Sequence, residues 1–247
     1  MFQTKKQPLT IKEMFKSGMH IGHTPSEWNP KMKPFIIKNK NGQHFLDLIQ
    51  ARLLFIDVLN FLKKSAKQDK KILFIGTKNN ISLLIPEIAK SCKAYYVNNR
   101  WFGGMLTNWK TIQRSIKQLK MLRKAENLNN WSLLKKKEIA QKKSKKDYLE
   151  QNLIGLEKMR ELPDIAIIVG QAEAYNAIKE CNKLGIKLVT FLDTNCDPTL
   201  TDWSILSNDD SPAALGFCFN QINHAINSGQ KNKKFLNKIK KQNKKKI

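Results

Sequence analysis

Four short apolar runs punctuate this chain, and each leads into glycine or a polar loop: Lys71–Gly76, Ala94–Val97, Asp164–Val169 and Lys187–Leu192. Runs this short, rich in Ile, Val, Leu and aromatics, read as buried strands. Between them the apolar positions become periodic. Leu46–Lys64 and Ala172–Leu184 carry them at helical intervals, and Lys183-Leu184-Gly185-Ile186 ends the second with lysine and glycine, a normal helix stop. Strand–helix alternation of this kind predicts a parallel sheet covered by helices on both faces.

Residues 105–159 follow another rule. They lack strand runs and are dense in lysine. Apolar residues fall three or four apart at Trp109, Ile112, Ile116, Leu119 and Leu122, and again at Tyr148, Leu149, Leu153 and Leu156. Asn127-Leu128-Asn129-Asn130 separates the two sets, because asparagine clusters favour turns, and Trp131-Ser132 can start the second arm. The pattern predicts an antiparallel coiled-coil hairpin inserted into the α/β body, zipped along its apolar stripe with lysines outside. At about 1.5 Å per residue the second arm reaches roughly 40 Å and projects beyond the body. The body is then discontinuous, 1–104 and 160–230, with the hairpin at 105–159. A lysine-rich tail, 231–247, cannot bury enough apolar surface to fold alone and is expected to stay disordered until it meets RNA.

Charge changes the picture. The 247 residues carry a formal +25, an excess that implies a polyanionic partner, nucleic acid or an anionic membrane surface. The excess is uneven: +6 over residues 1–40, +6 over 41–109, +10 over 110–160, −6 over 161–230 and +9 over 231–247. Two separated basic blocks would repel each other unless something neutralised them. Arginine occurs only at 52, 100, 114, 123 and 160, so 40 of the 45 bases are lysine. Lysine attracts phosphate as a flexible point charge, which suits holding an RNA backbone without reading its sequence. An A+T-rich coding genome would also inflate Lys, Asn and Ile. The cysteines at 92, 181, 196 and 218 contain no closely spaced pair, so a zinc knuckle is not expected and reduced, buried thiols are. No apolar run approaches the roughly 18–20 residues that span a bilayer, and Met1–Leu9 has no apolar h-region.

The segment Arg100-Trp101-Phe102-Gly103-Gly104-Met105-Leu106-Thr107-Asn108 joins the apolar run Tyr95-Tyr96-Val97 to the first helical arm. On pattern alone it is a strand-to-helix corner whose glycine pair permits a tight turn and whose aromatics pack inward. It also resembles the Arg-Trp-hydrophobe-Gly-Gly-Met-Leu-Thr-Asn signature of the small ribosomal subunit protein two family, in its bacterial and organellar form. Further blocks match in the same order: Gly18-Met19-His20-Ile21-Gly22-His23 with Trp28-Asn29-Pro30-Lys31-Met32, Leu162-Pro163-Asp164, Asp193-Thr194-Asn195-Cys196-Asp197-Pro198, and Asn208-Asp209-Asp210-Ser211-Pro212. The resemblance runs from about Thr10 to about Asn227. It implies a Rossmann-like (flavodoxin-like) α/β body with a coiled-coil hairpin, bound to small-subunit rRNA and neighbouring ribosomal proteins, and no catalysis. Gly170-Gln171-Ala172-Glu173 departs from the charged stretch usual in bacterial members. The Asn208–Pro212 block looks more like mitochondrial members. With the Lys/Asn/Ile bias and little room for a presequence, that suggests an organelle-encoded mitochondrial protein, with plastid or bacterial cytoplasm as alternatives.

The candidate RNA contacts are His20, His23, Trp28, Lys31, Lys33, Arg100, Lys110, Arg114, Lys117, Lys135, Lys136, Lys142 and Lys143. Trp28 suits stacking in a loop or core packing equally. His20 and His23 are three apart, but two ligands do not complete a metal site, and a structural or RNA-contacting pair is the expectation. No cofactor, small-molecule substrate or membrane is expected. The alternative is a Rossmann-type nucleotide- or magnesium-dependent enzyme, with Asp193 and Asp197 at a strand end as the metal candidates. Against it, Ile75-Gly76-Thr77-Lys78 lacks P-loop spacing, and no G-x-G-x-x-G or G-x-S-x-G appears. A third reading is a membrane-surface protein driven by basic helices.

Overall fold

A computed structural model describes residues 8–128, 131 and 135–243, with side chains of the last helix followed to Lys233. The chain opens with the short helix α1 (Ile11–Lys16), capped by the Thr10 hydroxyl, and a 3-10 turn at Pro30–Phe35. An antiparallel hairpin follows, β1 (Ile36–Lys40) and β2 (Gln43–Leu46). Asn41 and Gly42 between them both have positive φ, 54° and 74°, the geometry that an Asn-Gly pair adopts in a two-residue hairpin loop. Its strands are too polar for the apolar-run reading, which did not predict them.

Then the alternation takes over: α2 (Leu48–Lys67), β3 (Ile72–Gly76), α3 (Leu84–Cys92), β4 (Tyr95–Val97), α4 (Trp109–Asn127), α5 (Lys136–Leu153), β5 (Ile165–Val169), α6 (Tyr175–Leu184), β6 (Lys187–Leu192), β7 (Trp203–Leu206) and α7 (Pro212–Asn243). The four predicted strands are present; β7 is a fifth, at the edge, too short and too interrupted by Ser204 to stand out. Asp47 caps α2 by accepting from the Ile49 N–H at 2.8 Å, and Gly185 stops α6 with φ +68°.

All five strands β3–β7 run parallel in the order β4-β3-β5-β6-β7. Counted within the sheet this is 2-1-3-4-5, the flavodoxin-like winding, with its switch point between β3 and β5. The strands are buried on both faces, and alternate residues feed two cores. Phe74, Ile167 and Phe191 face α2, α3 and α7, where they meet Phe55, Ile85 and Phe219. Leu73, Ile75, Ala166 and Ile168 face α4, α5 and α6, meeting Trp101, Met105, Ile116, Leu119, Leu153 and Cys181. Each fully buried Leu, Ile, Phe or Met among them contributes about 1.5–3 kcal/mol.

The inserted segment is therefore built on the second core. Ion pairs fix the direction of its helices: Lys146 meets Glu126 at 2.7 Å, and Arg123 meets Glu150 at 2.7 Å and Glu157 at 2.9 Å, so α4 and α5 run antiparallel. Two expectations are corrected. The second arm spans 18 residues, about 27 Å rather than 40 Å. It ends at Leu153 because Gly155 must pass against β4, where any Cβ would overlap the Tyr96 carbonyl oxygen. Tyr148 leaves the apolar seam to its neighbour Leu149 and stands 55% exposed, tilted against Phe102 with ring centroids 5.9 Å apart. The break expected at Asn129, Asn130 and Ser132 falls outside the described residues.

A third correction concerns the tail. Helix α7 continues through residue 243, so 231–243 are helical where disorder was expected. A helix already nucleated and packed over Pro212–Gln230 extends by one hydrogen bond per residue without a new nucleus. The Gln230 amide donates to the Cys92 carbonyl at 3.0 Å, and Lys233 pairs with Asp69. Residues 244–247 fall outside the described residues.

Candidate nucleic-acid interface

The signature loop is organised by one carboxylate that the sequence reading missed. Glu180 of α6, buried at 8% exposure, accepts from five donors: Trp101 Nε1 at 3.0 Å, Gly104 N at 2.8 Å, Leu106 N at 2.9 Å, and Thr107 N and Oγ1, both at 3.0 Å. Burial alone would raise this carboxyl, but the donors from Thr107, Trp101, Leu106 and Gly104 outweigh it and hold it below its ordinary value. Gly104 turns with φ +84°, which an L side chain resists. The aromatic Trp101 is buried, as the corner reading expected, and the loop delivers the chain into α4. Glu180 does leave a trace in the sequence: it lies at helical spacing between Ala177 and Leu184, a lone acid on an otherwise apolar stripe.

At the C-terminal edge of the sheet, where α/β folds bind nucleotides, the N-terminal segment packs against the strand-end loops and narrows the crevice. The His23 N–H donates to Thr194 Oγ1 at 2.8 Å and the Asn29 N–H to the Thr194 carbonyl at 2.8 Å. Asn208 Nδ2 donates to the Ile21 carbonyl at 2.8 Å. Gly22 lies so close that a Cβ there would overlap the Thr194 side chain. Four acids of the −6 segment, Asp193, Asp197, Asp209 and Asp210, are engaged here. Asp209, 1% exposed, accepts from Lys78 Nζ at 2.8 Å, and Asp210 accepts from the same ammonium at 2.9 Å. Burial opposes the charge on Lys78, but Asp209 and Asp210 outweigh it and raise its pKa. Burial pushes Asp209 up to about 6 against the pull of Lys78.

His23 sits between carboxylates, Nδ1 3.3 Å from Asp193 Oδ2 and Nε2 3.2 Å from Asp210 Oδ2. Its pKa rises to about 9, chiefly through Asp193, so the ring is a cation at neutral pH. The side-chain contact with Asp193 is the largest cause, and the charges of Asp193, Asp209 and Asp210 add to it against the opposing effect of burial. Among the described residues, His23, Asp193 and Asp209 bring one ligand atom each within 4.8 Å of one another, but the protonated His23 ring has no lone pair to give a metal and Asp209 is held by Lys78. Asp197, the second metal candidate, instead accepts from Lys31 Nζ at 2.6 Å.

The predicted contacts thus divide. His20 takes the structural side of its two expected roles: it is buried, stacks on Phe15 at 4.2 Å between centroids, and burial lowers its pKa. His23 and Lys31 are engaged with the acids of the sheet edge. Trp28 is half-buried, tilted on His44 at 5.2 Å. Lys33, Arg100, Lys110, Arg114, Lys117, Lys135, Lys136 and Lys143 are exposed, Lys142 is half-buried, and none has an ion-pair partner among the described residues. By contrast Arg123 and Lys146 are neutralised within the helix pair, and Lys120 Nζ donates to the Glu157 carbonyl at 3.2 Å. No helix among the described residues is long and apolar enough to cross a membrane.

A doubly wound α/β body carrying a lysine-clad antiparallel helix pair on a clamped loop has the form of a structural scaffold. The chain belongs to the ribosomal protein S2 family, whose model matches residues 14–229. It is 49% identical over 224 residues to the small ribosomal subunit protein uS2c of Chlorella vulgaris, covering 91% of this chain and 84% of that one. The uS2c of Oltmannsiellopsis viridis is 46% identical over 222 residues, 90% and 93% of the two chains. The uS2 of Nostoc punctiforme is 40% identical over 222 residues, 90% and 84%.

Proposed function

We propose that the chain is a structural constituent of the small ribosomal subunit, of the plastid or bacterial type, binding its rRNA and neighbouring ribosomal proteins in translation. The observation that carries this reading is the family match across both sheet faces and the helix pair, joined to relatives that bear the small-subunit name. The algal and cyanobacterial relatives favour a plastid or bacterial-type ribosome over the mitochondrial setting that the residue bias suggested. Mechanistically, unpaired bases at Lys33, Arg100, Lys110, Arg114, Lys117, Lys135, Lys136, Lys142 and Lys143 displace counterions from rRNA phosphates, with Trp28 available for a base. The body, its acids already balanced at the sheet edge, fixes the orientation of that charged face.

Sedimentation tests the reading directly. Tagged full-length protein is expected to travel with small subunits on a gradient at moderate salt and to move to the top after ribonuclease treatment. A position at the top of the gradient before digestion would overturn it.

A further inference from the structure

The outer side of the helix pair carries a concavity of about 650 Å³, within the range of sites that enclose a ligand the size of a nucleotide. Arg114 and Lys117 of α4 and Lys142 of α5 stand around it, and its floor includes Met121, Ala125 and Trp131. Two features set it apart from the rest of the hairpin. Among the described residues its lining holds three bases and no carboxylate, whereas elsewhere in the pair Arg123 and Lys146 are balanced against Glu126, Glu150 and Glu157. And Met121, on a helix otherwise lysine-rich outside, is 72% exposed, an apolar thioether presented to solvent between cations.

The charge commits the occupant to a polyanion, and the floor decides which kind. A duplex meets a protein with phosphates and sugars, which gain nothing from a thioether and an alanine. An unpaired nucleotide offers a π-face to the floor while its flanking phosphates reach the bases. We propose that this groove seats one unstacked base of a single-stranded rRNA segment, with Arg114, Lys117 and Lys142 holding the phosphates beside it. The proposal rests on the ribosomal reading and adds a specific nucleotide site to it. Gln118, one turn from Arg114 and also lining the groove, supplies amide hydrogen bonds to a base edge.

The test uses the full chain with two probes of equal phosphate number, an oligo(U) strand carrying a central 4-thiouridine and a fully paired RNA duplex. Met121→Ala removes the floor and no charge, so oligo(U) affinity should fall about fivefold to tenfold with an unchanged salt slope, and duplex affinity should not move. Lys117→Gln should lower the salt slope for oligo(U) by about one unit. The photo-crosslink should fall within residues 111–125, at Trp131 or at Lys142. An oligo(U) affinity indifferent to Met121→Ala, an equal loss on duplex, or a crosslink elsewhere overturns the groove while leaving salt-dependent RNA binding intact. Failure to bind either probe overturns the ribosomal reading with it.

Discussion

Glu180→Ala is expected to cost about 3–5 kcal/mol of unfolding free energy, more than any other single truncation outside the two cores. Five donors converge on the carboxylate, four of them backbone or indole N–H groups. An unmet buried donor costs about 1–3 kcal/mol, and water entering near Gly104 and Thr107 relieves part of the sum. Glu180→Gln keeps the shape but turns an amide NH2 toward donors, so it should recover less than half of the loss. The pH dependence has a definite sign. The folded carboxyl lies below its unfolded value, so its contribution is fully present above the ordinary glutamate pKa of about 4.3 and disappears as pH falls through the folded value. Urea unfolding between pH 3 and 7 checks both statements, and the variants should show a shallower acid limb than the parent. A loss under about 0.5 kcal/mol would mean that the loop finds other acceptors, and the clamp would be withdrawn.

Neutralising four exposed bases of the hairpin, Lys110, Lys135, Lys136 and Lys143, each to glutamine, is expected to flatten the salt dependence of rRNA binding by about three logarithmic units. Near 0.1 M salt that amounts to roughly a thousandfold weaker binding. Thermal stability should hardly change, because these side chains are exposed and lack ion-pair partners among the described residues. The pairing of effects matters: a large change in affinity with a small change in stability assigns the lysines to the partner. An unchanged slope would assign them to solubility alone.

What the sequence disclosed and what it concealed follow one physical line. Continuous apolar runs such as Ile72–Gly76 and Ile165–Val169 mark strands buried on both faces, and no other structure explains them so simply. The winding and its two cores follow from that alternation. Edge elements carry weaker signals, since half their surface is solvated: β1 and β2 are held by the turn at Asn41-Gly42, and β7 by its register against Val189 and Thr190. The site was half legible. Lysine density and the Arg100–Asn108 signature pointed to the hairpin and its root. What stayed hidden were pairings across long sequence separations, Glu180 with residues 101–107 and Lys78 with Asp209 and Asp210, because spacing along a chain says nothing about them. The same limit holds for His20, which stacks on Phe15, and Lys31, which pairs with Asp197: neither contact shows in the spacing.

The central claim is that the unpaired lysines of the hairpin face rRNA while the paired acids of the sheet edge hold the body together. Amine-reactive footprinting of intact small subunits, read by mass spectrometry before and after ribonuclease digestion, tests it most directly. Lys110, Lys117, Lys135, Lys136 and Lys143 should be protected in the subunit and become reactive once the RNA is removed. Equal labelling of these lysines before and after digestion would contradict the claim.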